Sequence, residues 1–319
     1  MADLARLAGV SKITVSRALR DSPAVRPELR ERIKTLARRH GYRFNVSARN
    51  LRLQKSRLIA VIVDMEVADQ RPMSDSYPLA LLGGILQELA ASDYRVLLAP
   101  LSDVTSPEVE NAEGIILLGQ GAQGEAVREL MSLDLPFLVW GSQRSRVPAT
   151  VVGSDNRTGG RLAADHLLAT GRNRLVFLGD TDHPEVADRL DGFAEAVAAT
   201  QSKIVAKYAC DFTKSGGFER VRSLIRDGVV FDGIFAASDL IAIGTIEALR
   251  EAGRQAGPQV SIVGYDDSHV ASTATPALTT IRQDWHEGGK LLAQKLLALI
   301  AGDEARSQAL EPVLVVRET

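Results

Sequence analysis

Residues 4–19 read LARLAGVSKITVSRAL, and the spacing within them decides how the first part of the chain folds. Leu4, Leu7, Ala8, Val15, Ala18 and Leu19 fall at helical spacing, so two short helices share an apolar side. Gly9 lies between them, where the first helix must stop and a residue without a Cβ takes positive φ without penalty. Ser11 is the expected N-cap of the second helix, its hydroxyl accepting from an otherwise orphaned N–H. The outward set is then Lys12, Ile13, Thr14, Ser16 and Arg17. This is the helix-turn-helix pattern, whose second helix enters a DNA groove. Arg17, with Ser11, Lys12, Ser16 and Arg20, is expected at the major groove or its phosphates, and Ile13 and Thr14 against thymine methyls. The alternative is an ordinary helical hairpin at a domain edge.

Working outward, Pro27 suits the first turn of a third helix, and Leu29, Ile33, Leu36 and Ala37 give it one apolar stripe. Arg30, Lys34, Arg38 and Arg39 fill its opposite face, in contact with phosphate or simply solvated. Gly41 is a plausible stop. Residues 44–57, FNVSARNLRLQKSR, are polar and basic and too short to own a core. Such a segment can be disordered when free and helical when held on DNA. The net charge of −2 hides an asymmetry. Residues 1–57 carry 15 Lys+Arg against 4 Asp+Glu, and the remainder carries 23 against 36. A basic head on an acidic body confines any meeting with a polyanion to the head.

From Leu58 the character changes. LIAVIVD is a short, β-branched apolar run, a buried strand. Further strands are expected at 95–98, 114–118, 137–140, 150–152, 175–178, 204–208, 233–236 and 261–264. Helices with apolar periodicity lie between, at 79–91, 160–169, 189–199, 218–226, 240–252 and 287–300. The alternation predicts an α/β body of parallel sheets covered by helices, and so many strands need two sheets.

Several function classes are disfavoured. No apolar run reaches the roughly 18 residues a membrane span needs, and no secretory h-region opens the chain. The single cysteine, Cys210, allows no internal disulfide, fits a reducing cytoplasm, and reads as a small buried hydrophobe. Five scattered histidines show no metal-ligand spacing, and no phosphate loop or nucleophile elbow is present. Gly119-Gln-Gly121-Ala-Gln-Gly124 matches a dinucleotide fingerprint, but the next strand ends in Gly141 and Ser142 instead of a ribose-binding acid. No cofactor or metal is expected, and no catalytic residue can be nominated. A nucleotide-dependent enzyme is the rival class. Ligands of open α/β sheets bind beyond the carboxyl ends of strands. The polar residues there are Asp155, Asn156, Arg189, Asp211, Ser238, Asp239, Asp266 and Asp267, with Phe212 beside them. Asp239 and Asp267 could instead cap helices.

The head, together with HGY at 40–42 and N-x-x-A-R-x-L at 45–51, resembles the lac-repressor/gal-repressor (LacI/GalR) family of transcription regulators, and the similarity spans essentially the whole chain. The resemblance implies a helix-turn-helix headpiece (1–43), a hinge (44–57), and a two-lobed periplasmic-binding-protein-like effector and dimerisation domain (58–319) with parallel sheets. Its lobes would be 58–153 with 284–319, and 154–283, with a third crossing bringing back the final strand at 312–316. It implies a homodimer on near-palindromic operator DNA, a repressor that answers a small carbohydrate, with a purine or phosphorylated metabolite as the alternative effector. Leu51 matches the hinge leucine that wedges into the minor groove, while Phe44 stands where a proline is common. Arg189, Phe212, Ser238, Asp266, Gln283 and Trp285 match effector-binding positions, and Tyr77 and Trp140 are candidates from the other lobe. Ser238 stands where an asparagine is common.

Overall fold

The computed structural model describes residues 2–19, 21–42, 56–64, 76–121, 125–144 and 149–319. The chain falls into two compact units, Met1–Ser56 and Arg57–Thr319. Arg20, and the hinge expectations on Phe44 and Leu51, lie outside the described residues.

The first unit holds α1 (Ala2–Ala8), α2 (Lys12–Ala18) and α3 (Pro27–Arg39). Gly9 turns the chain at φ 67°. Ser11 is extended at φ −69° and ψ 155°, and its hydroxyl accepts from the Thr14 amide at 3.1 Å. Leu4, Ala5, Ala8, Val15, Ala18, Val25, Ile33 and Ala37 form a core around which the three helices pack. Leu7 is a correction: it is 47% exposed, and Ala5 takes the place expected for it. Two cations of α3 are also not simply solvated. Lys34 Nζ donates to Asp21 Oδ1 at 2.6 Å and Arg30 to the Asp21 carbonyl at 2.9 Å. They hold the turn after α2, where Asp21 has φ 56°, and the Lys34 hydrogen bond keeps the Asp21 carboxyl below its usual pKa. Because Ser11 satisfies an N-terminal amide of α2, Ser11→Ala is expected to cost about 1 kcal/mol. Hydrogen exchange on the full chain should show the Thr14 amide exchanging about fivefold faster; unchanged protection would remove the capping role.

The second unit has two lobes. The first holds β1 (Leu58–Val63), α4 (Ser76–Leu89), β2 (Arg95–Pro100), α5 (Pro107–Glu110), β3 (Gly114–Leu118), α6 (Glu125–Leu130), β4 (Phe137–Trp140) and β5 (Thr150–Ser154). The chain then crosses to α7 (Asn156–Ala169), β6 (Arg174–Leu178), α8 (Pro184–Ala198), β7 (Lys203–Tyr208), α9 (Lys214–Arg226), β8 (Gly233–Ala236), α10 (Asp239–Glu251), β9 (Ser261–Asp266), α11 (His269–Thr273) and β10 (Thr279–Arg282). It returns for α12 (Trp285–Ala301) and β11 (Gln308–Leu310), and crosses a third time for β12 (Val313–Val315).

The first sheet runs β11-β5-β4-β3-β1-β2 and the second β12-β10-β9-β8-β6-β7. Every pairing is parallel except β10 with β12. Buried on both faces, the central strands read as unbroken apolar runs: β1 is buried from Ile59 to Val63 and β3 throughout. The expected split at 284–319 is corrected in part. The segment 284–310 belongs to the first lobe, but β12 pairs with β10, Thr280 opposite Val315, and Thr319 is buried where its hydroxyl donates to the Ile262 carbonyl. The closing residues therefore belong to the second lobe. β10 and β11 were not expected; at four and three residues they carry too little pattern to read.

Helices begin earlier than their apolar periodicity suggests. Asp155 caps α7, accepting from the Thr158 amide at 2.9 Å, and Pro184 sits in the first turn of α8. α7 and α8 pack closely enough that a Cβ on Gly160 would lie 1.9 Å from the Arg189 carbonyl oxygen, and one on Gly192 1.9 Å from that of Arg157. Cys210 is buried, as read from the sequence, and burial pushes its thiol pKa up to about 12.

Candidate functional site

A cavity of about 280 Å³ opens at the carboxyl ends of the strands of both lobes in the second unit. Asp64 follows β1, Gln120 follows β3, and Trp140 ends β4. From the other lobe come His183 and Glu185 at the start of α8, Arg189 one turn on, and Phe212 after β7. Asp266 ends β9, and Gln283 and Trp285 stand at the second crossing. The strand-end rule thus places the walls in both lobes.

Arg189 is the most tightly held of these. It is 4% exposed. Its Nε donates to Asn156 Oδ1 at 2.9 Å and its Nη1 to the Ala237 carbonyl at 2.6 Å. The guanidinium lies 3.7 Å from the centroid of the Tyr265 ring. Tyr265 is fully buried, and its hydroxyl donates to the same Asn156 oxygen at 3.2 Å. Burial pushes the Tyr265 phenol pKa up to about 12. The helix contact at Gly160 fixes the backbone, and these partners fix the fork of Arg189.

Asp266 adopts φ 118°, a region side-chain-bearing residues rarely enter. Gln283 Nε2 donates to its Oδ1 at 2.8 Å. Strain of this kind, of order 1–3 kcal/mol, gathers at functional sites. Behind it Asp239 is 1% exposed. Thr280 Oγ1 donates to Asp239 Oδ1 at 2.5 Å, and the Ser268 amide and hydroxyl donate to its Oδ2 at 2.7 and 2.8 Å. Burial, then the charge of Asp266, raises the Asp239 pKa well above the carboxylate range. A carboxyl that the fold prefers protonated adds stability below the ordinary pKa of 3.8 and loses it as pH rises towards the raised value. Asp239→Asn should therefore flatten the decline of unfolding free energy between pH 5 and pH 8. One proton sets a limit of about 1.4 kcal/mol per pH unit on that slope. Urea midpoints at the two pH values test this, and parallel profiles for the variant and the parent would refute it.

Aromatic side chains form the apolar part of the walls. Tyr77 and Trp285 meet edge to face with centroids 5.8 Å apart, and His183 meets Phe212 at 5.4 Å. Seven of the eight residues nominated from sequence line the cavity: Tyr77, Trp140, Arg189, Phe212, Asp266, Gln283 and Trp285. Ser238 does not. It is 2% exposed and caps α10, accepting from the Ile241 amide at 3.3 Å. Neither Asp239 nor Asp267 caps a helix; Asp267 receives Arg317 Nη2 at 2.5 Å.

The sequence reading missed Asp64, Gln120, Glu125, His183 and Glu185. Asp64 could have been found by the rule that found Asp266, since it ends the LIAVIVD run. Gln120 was hidden in the glycine loop. With Gly119 at φ 102° and Gly121 at φ 68°, that loop turns Gln120 towards Ser142. There its amide accepts from the Ser142 N–H at 2.7 Å and donates to the Ser142 carbonyl at 3.0 Å. Gly124 lies outside the described residues. Beside the cavity, Arg144 and Ser142 of the first lobe reach α8 of the second: Arg144 Nη1 lies 3.2 Å from Asp188 Oδ1 and also pairs with Asp191, and Ser142 donates to Asp188.

In the first unit, α2 presents Lys12, Ile13 and Arg17 outward, with Ile13 64% exposed, while Thr14 and Ser16 are half-buried. The Ser11 and Thr14 hydroxyls lie 2.9 Å apart, so each is partly engaged by the other. Among the described residues no group of His, Cys, Asp and Glu could hold a metal ion, and no helix is long and apolar enough to cross a membrane.

A helix-turn-helix head and a two-lobed parallel α/β body with a cavity between its lobes define the class of DNA-binding regulators built on a periplasmic-binding-protein-like domain. Residues 1–45 match the family model described as bacterial regulatory proteins, lacI family, and residues 164–319 match the periplasmic binding protein-like domain. The chain is 30% identical to the HTH-type transcriptional regulator CelR of Thermobifida fusca, over 99% of this chain and 94% of that one. It superposes on the crystal structure of the lac repressor dimer bound to operator and an anti-inducer with a TM-score of 0.88, at 26% identity over 99% and 97% of the two chains. It superposes on the CelR–cellobiose complex with a TM-score of 0.74, at 28% identity over 99% and 98%. The chain belongs to the lacI family of bacterial regulatory proteins.

Proposed function

We propose that this protein is a cytoplasmic, homodimeric transcriptional repressor whose operator affinity is set by a small carbohydrate, and that it is not an enzyme. The observation that carries the reading is the cavity: carboxylates and a fixed guanidinium alternate with aromatic faces, the chemistry that suits sugar hydroxyls and C–H faces. The same chain carries a basic helix-turn-helix head. Relatives point the same way, one crystallised as a dimer on operator and one with cellobiose.

In this reading residues 1–43 bind DNA and 58–319 bind the effector and dimerise. Arg17, Lys12, Ser16 and Arg20 meet the major groove or its phosphates, with Ser11 at the helix start, and Ile13 and Thr14 meet thymine methyls. Two heads on a two-fold dimer match two half-sites. The hinge at 44–57 places Leu51 at the operator centre. Sugar binding draws the lobes together through Arg189, Phe212 and Asp266 from one lobe and Tyr77, Trp140 and Trp285 from the other, with Gln283 at the crossing between them. The shift at the dimer face separates the hinges. A coupling of about 1–3 kcal/mol would change operator affinity some 5–150-fold.

The test is fluorescence anisotropy of labelled DNA from the gene's own upstream region, at two salt concentrations, with and without a sugar panel. Palindrome-selective, salt-sensitive binding that one sugar alters is the expected result. Specific binding that no sugar alters would reject the carbohydrate, and no specific binding would reject the regulator.

A further inference from the structure

The hydrogen-bonding inventory of the cavity says more about the ligand than its membership of a broad class. Among the described residues, the lining acids are Asp64 and Glu125 from the first lobe and Glu185 and Asp266 from the second, and Arg189 is the lining guanidinium. A carboxylate only accepts hydrogen bonds, so what these acids ask of a ligand, beyond the bonds they already accept from the protein such as that from Gln283 Nε2 to Asp266 Oδ1, is O–H or N–H groups. The polar groups that would have suited an acceptor-rich ligand are largely engaged. The Gln120 amide spends an N–H and its oxygen on Ser142, and Arg189 spends Nε and Nη1 on Asn156 and Ala237.

Among the described residues three buried side-chain atoms are without a protein partner, and all belong to residues that line the cavity: Ser154 Oγ, Glu185 Oε2 and Trp285 Nε1. The last two carry the strongest demands, a carboxylate oxygen and an indole N–H. Trp285 is only 7% exposed. Its indole N–H can only donate, and Glu185 Oε2 can accept. Leaving such groups unpaired is costly, so a bound molecule is expected to satisfy them. A hydroxyl satisfies either. A phosphate or carboxylate satisfies the indole but meets Glu185 as a like charge without a proton to share.

We infer that the cavity selects a hydroxyl-rich sugar carrying no anionic group, and that Glu185 is a specificity-determining residue that excludes uronates and sugar phosphates. The inference rests on the carbohydrate reading above and narrows it. It separates this protein from a sensor of phosphorylated metabolites, the alternative left open by the sequence. Glu185 was not marked by the strand-end rule, because it stands on the first turn of α8, one residue after Pro184.

The test uses the full chain in calorimetry and thermal-shift titrations. The panel comprises ribose, glucose, galactose, cellobiose, lactose, glucosamine, glucuronate, galacturonate, glucose 6-phosphate and ribose 5-phosphate. Wild type is expected to bind at least one uncharged sugar, and each acid or phosphate at least tenfold more weakly than its parent sugar. Glu185→Gln keeps the shape and removes the charge. It should weaken the uncharged sugar severalfold and reduce its margin over the matching uronate at least tenfold. Trp285→Phe removes the indole N–H and should weaken the uncharged sugar without changing that margin. An acid or phosphate that binds as tightly as its parent overturns the inference and leaves the carbohydrate reading standing. An unchanged margin in Glu185→Gln overturns the role of Glu185. If operator binding persists and no sugar of any charge binds, the carbohydrate reading fails and takes this inference with it.

Discussion

Arg189→Ala is expected to raise the dissociation constant for the effector sugar more than a hundredfold and to abolish the sugar-induced change in operator binding. The side chain is 4% exposed, so the hydrogen bonds it offers a ligand are largely screened from water. Charge-assisted bonds of this kind contribute about 1.5–3 kcal/mol each. A hundredfold loss needs about 2.8 kcal/mol, at 1.4 kcal/mol per factor of ten. Truncation also strips Asn156 Oδ1 and the Ala237 carbonyl of a donor, so the melting temperature should fall as well. Arg189→Lys separates charge from geometry. Lysine keeps the cation, but it has no planar fork to serve Asn156, Ala237 and the ligand together, and it stacks less well on the Tyr265 ring. It should lose most of the binding while melting closer to wild type. Calorimetry on both variants decides: a lysine variant that binds the sugar as well as the parent would show that only the charge matters.

The head was legible because local chemistry decides it. Gly9 and Ser11 stop one helix and start the next wherever the rest of the chain lies, and their conformations match. Leu7 failed because a seven-residue helix has too few turns to reveal which leucine faces inward, and Ala5 served the core equally well. The parallel strands were legible as runs buried on both faces. β10 and β11 were not, since their pairing comes from the crossings and not from their own four and three residues.

Site residues sorted by a similar logic. Asp266 and Phe212 end or follow strands, where the topology alone places them at the cavity. Ser238 also follows a strand, yet its hydroxyl turns back to cap α10, and a rule about strand ends cannot see which way a short side chain turns. Glu185 and His183 enter the cavity from the start of a helix whose onset was read five residues too late. The glycine loop resembled a phosphate cradle because its glycines do permit positive φ, but the chain uses that freedom to aim Gln120 at Ser142.

Gly160→Ala is expected to cost about 3 kcal/mol of stability and to weaken sugar binding at least tenfold, although residue 160 is not among those lining the cavity. The added Cβ would lie 1.9 Å from the Arg189 carbonyl oxygen, 2.8 Å from its carbon and 3.0 Å from its Cα. These are backbone atoms of α8, so no side chain can swing aside, and the helices must part. Overpacking of a close contact costs about 1–3 kcal/mol and occasionally more, and this one lies at the upper end because neither side is flexible. At roughly 2–4 °C per kcal/mol for a domain of this size, the melting temperature should fall by about 6–12 °C. The displaced carbonyl belongs to Arg189 itself, so the shift that relieves the clash also moves the guanidinium away from Asn156 and Tyr265. Gly192→Ala attacks the same contact from the other side, through the Arg157 carbonyl. Once α7 and α8 have separated to admit one methyl group, the second meets an open gap. The double variant should therefore lose clearly less stability than the two single losses added together, the signature of residues sharing one contact. Strict additivity, or a Gly160→Ala protein that melts and binds sugar like the parent, would mean that the close approach of these helices does not fix Arg189.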